Sequence, residues 1–191
     1  MCVSFEEDRE MLCRNLSIPL EEECALDSQI TRLLKSLELT VREDRSLFNG
    51  ASKAFVRNHF NNWTVSEEAK AEQPSATSFG GKNRSPRGVS TRYTFPIHVD
   101  AASLHSVVHA APQPPQYDME GIGYANVLDC HWGDLDPEDE DESEEPVEGC
   151  RLYDVGWIKV RVERLVPDIY KDLLEHHHWY IYFKLPPEVW V

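Results

Sequence analysis

The chain has 191 residues, 41% hydrophobic and 28% charged, the composition of a globular protein with one good core or a small helical unit plus one domain. Its formal net charge of −15 is unevenly spread: 14 of the 34 acids and none of the 19 lysines and arginines fall between Tyr93 and Cys150. Such a surface repels a phosphate backbone and attracts basic partners or cations, so direct nucleic-acid binding is not expected.

The opening segment, MCVSFEEDREML, is acidic and has no apolar run behind a basic one. It reads as neither a secretory signal nor a mitochondrial presequence. No apolar run approaches the roughly 20 residues that a membrane span needs. Five cysteines, an odd number, then read as reduced thiols in a cytoplasmic or nuclear setting.

Residues 1–62 read as a helical segment. Ser4 and Glu7 form a capping box ahead of Met11, Leu12 and Leu16, and Pro19 breaks the helix. Ile30, Leu33, Leu34 and Leu37 make an amphipathic stripe. Thr40 and Glu43 form a second capping box before Leu47, Phe48, Ala51, Phe55 and Phe60, with Asn49-Gly50 weakening that helix or splitting it in two. Residues 63–88 are rich in Ser, Gly, Pro and charge and read as a disordered linker, because little burial is available to offset the entropy of ordering.

Residues 89–191 read as an α+β domain. Val89, Thr91, Tyr93, Phe95, Ile97 and Val99 alternate as a strand, with Pro96 marking an edge or a bulge. Asp100 caps a short helix carrying Leu104, Val107 and Val108, and a Pro-rich loop follows over residues 111–120. Residues 121–132 read as a second strand, and Arg151–Leu165 as a third with a bulge at Gly156. Pro167 opens a helix, and Trp179, Ile181 and Phe183 alternate as a final strand. This order is that of a ferredoxin-like βαββαβ sandwich with a long acidic loop, residues 133–149, between the second and third strands; a mixed α+β domain of another order is the alternative.

Two loops carry the functional expectation. In the acidic loop, Asp134, Asp136, Glu138, Asp139, Glu140, Asp141, Glu142, Glu144 and Glu145 make nine acids in the twelve residues 134–145. Such a block repels itself and stays solvated. It is either a solubilising insertion or an electrostatic lure for a basic protein surface. Asp139 stands where a calcium loop of the EF-hand type needs glycine, so only weak cation binding is read there. In the other loop, Pro114, Pro115 and Tyr117 belong to a PPQY sequence of the kind bound by WW domains. Consecutive prolines preset a polyproline II helix, so docking into an aromatic groove loses little entropy.

Metal and catalytic signals are weaker. His105 and His109 lie at i, i+4 on a predicted helix, and Cys130 and His131 are adjacent on a predicted strand, where their side chains diverge. His176, His177 and His178 follow one another near a helix end, where the dipole favours them. Tyr93, Phe95, Tyr153 and Trp157 are the aromatics that an RNA-binding sheet would expose, but the basic-glycine-aromatic pattern of such sheets is missing. No phosphate loop, nucleophile elbow or dinucleotide fingerprint is present.

The reading is therefore a non-catalytic intracellular interaction protein, adaptor or regulator, cytoplasmic or nuclear. It needs no cofactor and no metal, and it recruits a WW-domain protein through one loop and a basic surface through the other. The alternatives are an inhibitor or nucleic-acid mimic that blocks a basic site, and a metal-dependent enzyme with a dispersed site of His105, His109, either Cys130 or His131, and a carboxylate.

Overall fold

The computed structural model describes residues 40–71, 91–113, 116–133, 140, 143 and 145–191. The helices expected over residues 4–39 lie outside the described residues, as do Cys2, Cys13 and Cys24 and most of the expected linker.

The described part begins with a helix split at Asn49-Gly50. Asp44 caps the first turn, α1 (Arg45–Phe48), its carboxylate accepting from Ser46 N–H at 2.9 Å and Leu47 N–H at 3.3 Å. The capping box expected at Thr40 and Glu43 is thus displaced to Asp44. Gly50 then turns the chain at φ +71°, and Ser52 caps the longer α2 (Lys53–Thr64). A short α3 (Glu67–Ala71) follows within the residues expected to be linker, with Ala69 fully buried against Trp63 and Tyr93.

The segment expected as the first strand is mostly irregular. Thr91–Tyr93 form a 3-10 turn, and only Ile97–His98 pair as a strand, β1. The backbone still leans on its neighbour, since Thr94 O and Pro96 O accept from Cys130 N–H and Leu128 N–H at 3.0 Å each. Pro96, which has no N–H to give, sits in that edge position as anticipated. Asp100 caps α4 (Ala101–His105) through Ser103 N–H at 2.8 Å, and the helix widens into a π turn, Ser106–Ala110.

Strands β2 (Tyr124–Leu128) and β3 (Trp157–Arg161) pair antiparallel over their full length. After β3 the chain runs through α5 (Val162–Arg164), kinks at Val166, and enters the helical stretch that Pro167 opens and α6 (Tyr170–Asp172) completes. The residues expected as the last strand, 179–183, instead form α7 (Trp179–Tyr182), entered from a 3-10 turn, His176–His178. The alternation of Trp179, Ile181 and Phe183 misled because Ile181 is 70% exposed while Trp179 is buried and tethered by its indole N–H. The final strand is β4 (Val189–Trp190), just past Pro186-Pro187.

The domain is α+β with a four-stranded mixed sheet. Its order is β1-β2-β3-β4, with β1, β2 and β3 antiparallel in turn and β4 added parallel to β3. A split βαβ would place a strand between the first two. Here β1 and β2 are direct antiparallel neighbours, so the ferredoxin-like arrangement is corrected to a short meander with one parallel addition.

The two sheet faces differ. Ala125, Val127, Ile158 and Val160 point into the main core with Phe95, Val107, Val162, Leu165, Ile169, Leu173 and Trp179. The opposite face carries His98, Asn126 and Lys159 in one row across three strands, and Leu128 beside Trp157. Helix α2 covers the apolar end of that face, with Val56 packed on Leu128, Val155 and Trp157.

Gly156 sits at φ +73°, where an added Cβ would lie 2.5 Å from Cδ2 of Trp132 and 2.7 Å from Nη2 of Arg57. Gly50 has a similar φ of +71° but open space around it. Urea denaturation should therefore separate the two. Gly50→Ala should cost about 1 kcal/mol from backbone strain alone, and Gly156→Ala should cost at least about 2 kcal/mol more because strain and clash combine. Equal losses would refute this packing around Gly156.

Candidate functional site

Helix α2 presents Lys53, Arg57 and Asn61 at i, i+4, i+8, a polar stripe pointing at the fold rather than at solvent. Arg57 donates from Nε to Asp129 O at 2.8 Å and from Nη2 to Gly156 O at 2.9 Å. Its guanidinium also lies 4.6 Å from the centre of the Trp132 ring. Asn61 donates to Cys130 O at 3.1 Å. The two carbonyls that Arg57 holds flank the point where the chain leaves β2 and returns to β3, and Asp129 N–H itself bonds Gly156 O at 3.0 Å. Arg57 therefore closes the neck of the long loop, residues 130–155, that carries the acidic stretch.

The neck is also fastened to the C-terminal region. Asp129 is buried; Oδ1 accepts from His131 N–H at 2.8 Å, and Oδ2 lies 2.9 Å from Nε2 of His176. His176 stacks on Phe95 with ring centres 5.6 Å apart. On the returning limb, Asp154 accepts from Gly156 N–H at 2.7 Å and from the Trp179 indole at 2.9 Å. Its carbonyl accepts from the Trp132 indole at 2.8 Å.

At the start of α2, Lys53 is 7% exposed. Its ammonium lies 2.6 Å from Glu148, 3.6 Å from Asp100 and 4.0 Å from the centre of the Trp157 ring. Two carboxylates and an aromatic face offset the cost of burying the charge. Glu148, the last acid of the acidic stretch, adopts a left-handed backbone at φ +51°. Asn126 donates to His98 O at 3.0 Å and to Asp100 Oδ2 at 3.1 Å, while Oδ1 of Asn126 and Nδ1 of His98 are buried without a hydrogen-bond partner. Burial holds the His98 imidazole below its ordinary pKa of 6.5, and Lys53 adds to this while Asp100 opposes it. Burial alone would raise Asp100, but the Ser103 N–H and Lys53 outweigh it and hold the carboxyl below 3.8.

Of the expected loop residues, Tyr117 is 57% exposed, and Met119 beside it is 79% exposed. Pro114 and Pro115 lie outside the described residues. Glu140 and Glu145 are exposed; Asp134, Asp136, Glu138, Asp139, Asp141, Glu142 and Glu144 also lie outside the described residues. The acidic stretch re-enters the fold where Val147 and Cys150 form an antiparallel bridge. No family model, curated protein or solved structure matches this chain.

The dispersed metal set is not assembled as a group. His105 and His109 are exposed neighbours with ring centres 5.2 Å apart. Cys130 is buried with Sγ toward Tyr93 O, while His131 is exposed, so the adjacent pair diverges as expected. None of these four joins a cluster of three ligating atoms among the described residues. Tyr93, Phe95 and Trp157 are buried and have no face to offer a base; Tyr153 is exposed against Phe183. Trp190 packs on Tyr182, whose phenol is pushed up to about 12 by its hydrogen bond to the Asp172 carboxylate.

Sequence reasoning missed Lys53, Arg57, Asp129, Asp154 and His176. The one available signal was the i, i+4 spacing of Lys53 and Arg57 on a helix whose apolar residues are too few to bury it alone.

Two measurements check this geometry. Arg57→Met keeps the stem but removes both carbonyl bonds, and should cost about 2–4 kcal/mol in denaturant unfolding; a loss under about 0.5 kcal/mol would remove Arg57 from its role. Because His98 binds a proton more weakly folded than unfolded, stability should fall as pH drops below 6.5, where the unfolded chain takes up the proton first. His98→Gln should flatten that slope between pH 7 and 5, and an unchanged slope would contradict the burial.

Proposed function

We propose that this protein is a non-catalytic interaction protein, an adaptor or regulator, whose two recruiting loops leave opposite ends of strand β2. The placement of those loops carries the reading. The loop with Tyr117 leads into β2 at Tyr124, and the acidic loop departs just after Leu128. Five residues at about 3.3 Å each separate the two ends by roughly 15 Å. The two loops thus leave β2 at opposite ends, which favours separate docking of two partners.

The loops suit different chemistries. Tyr117 is largely exposed next to Met119, which supports capture of the PPQY segment in the aromatic groove of a WW domain. The acidic stretch supports docking of a basic protein surface, with its neck held by Arg57 and its returning end by the Lys53–Glu148 pair. Rigid ends under a charged loop favour this division of labour between scaffold and recognition. We place the protein in a reducing compartment, cytoplasm or nucleus, in keeping with its odd count of five cysteines. Among the described residues no helix is long and apolar enough to cross a membrane.

Binding of an isolated WW domain and of a polylysine peptide, measured separately and together, tests the proposal. Tyr117→Ala should weaken WW-domain binding at least about tenfold and leave polylysine binding unchanged. Replacing the acids of 134–145 by their amides should do the reverse, with polylysine affinity in the wild type falling steeply with salt. Both ligands should bind together with additive heats. Competition between them, or indifference of WW-domain binding to Tyr117, would defeat the two-loop reading. Polylysine binding that also blocks the protein's interaction with a nucleic-acid-binding partner would favour the inhibitor or mimic instead.

A further inference from the structure

The three consecutive histidines do not serve one purpose. His176 turns inward to Asp129 and Phe95. His177 and His178 remain on the outside of the turn with Glu175, and one ligand atom from each of the three lies within 4.8 Å of the other two. Among the described residues this is the one group of three metal-ligating side chains so placed.

Local backbone geometry explains the convergence. His178 N–H bonds Glu175 O at 2.9 Å, a 3-10 closure entered from an extended Glu175 at φ −104°, ψ 108°. The closure brings Glu175 and His178 onto one turn of backbone, with His177 between them in the chain. The Nδ1 atom of His177 lies 3.5 Å from Oε2 of Glu175, and the two imidazole ring centres are 4.3 Å apart. The turn is held from both sides by buried anchors, Leu173 at 2% and Trp179 at 0% exposure. The cluster is thus a feature of a fixed turn rather than of a loose tail.

An outer partner is also in place. Nδ1 of His178 lies 2.7 Å from the backbone carbonyl of Asp172. A carbonyl there selects the Nδ1–H tautomer, which leaves the lone pair on Nε2. That is the arrangement by which metal-bound histidines are oriented and made more basic. Two imidazoles and a carboxylate form a nitrogen–oxygen donor set of borderline softness, suited to zinc and its neighbours rather than to calcium or magnesium.

We propose that Glu175, His177 and His178 form a binding site for a divalent transition-metal ion of the zinc type, with at least one coordination position open to solvent. The openness follows from exposure: the side chains of Glu175 and His177 are each 67% exposed. Three protein ligands leave the fourth tetrahedral position for water or for a donor group from another molecule. The site is independent of the acidic and PPQY loops.

Calorimetric titration of the tag-free full chain with zinc ion tests it, alongside cobalt substitution read by visible absorption. Wild type should bind one equivalent, and the cobalt form should show the intense absorption of a four-coordinate ion. Glu175→Gln and the double variant His177→Ala/His178→Ala should each lose at least about tenfold in affinity. His105→Ala/His109→Ala should bind as the wild type does. A second reading needs no variant: histidine ring resonances of the wild type should shift for His177 and His178 on adding zinc. Unchanged affinity in the Glu175 and His177/His178 variants would overturn the site, as would resonance shifts confined to His105 and His109.

Discussion

One guanidinium sets the geometry on which the rest of this domain depends. Arg57 reaches from helix α2 to two carbonyls on adjacent limbs of the β2–β3 connection, and its guanidinium lies over the Trp132 ring. A planar, permanently charged fork suits this task, because it satisfies two acceptors in fixed directions while its stem packs against apolar neighbours. Through that contact the helix, the sheet and the root of the acidic loop become one unit. Asp129 and Asp154, next to those same carbonyls, extend the unit to His176 and Trp179 in the C-terminal region. The polar contacts are not decoration on an apolar interface; few apolar side chains of α2 reach the sheet, Val56 being the main one.

The row of His98, Asn126 and Lys159 shows how the second sheet face is managed. An antiparallel meander commonly keeps one face for the core and leaves the other to water. Here the polar face is partly roofed by Lys53, which brings its own charge and draws Asp100 and Glu148 around it. The result is a small buried polar network, satisfied along most of its edges and open at His98 Nδ1 and Asn126 Oδ1. Such networks hold their members in one arrangement because any slip leaves a desolvated group unpaired.

Much of the local structure was legible in the sequence. Asp100 as a helix cap, Pro167 at a helix start and the break at Asn49-Gly50 each follow from backbone chemistry that one or two residues impose; the bulge expected at Gly156 is instead a left-handed residue just ahead of β3, whose register with β2 is unbroken. The strands β2 and β3 were also visible, though shorter than their alternation suggested. What failed was arrangement. Residues 91–96 alternate like a strand, yet the chain bends there because Thr91 bonds Tyr170 O and Tyr93 stacks on Trp63. Residues 179–183 alternate too, and Trp179 was drawn into a helical turn by a carboxylate 25 positions away. The neck was illegible for the same reason: Asp129, Asp154 and Arg57 are far apart in the chain, and nothing local marks them as partners. The acidic stretch and the PPQY segment, by contrast, are matters of local composition and need no partner elsewhere in the chain to be seen.

The closed neck has an evolutionary consequence. Once the two limbs of a loop are fixed at their base, the free energy of the fold depends only weakly on the length between them; doubling a flexible segment costs about 0.6 kcal/mol. Arg57, Asp129 and Asp154 hydrogen-bond to residues that border the acidic run. The insert is thus a cassette. It can lengthen, shorten or exchange its chemistry across generations while the frame that displays it stays the same, and the loop can drift faster than the architecture beneath it.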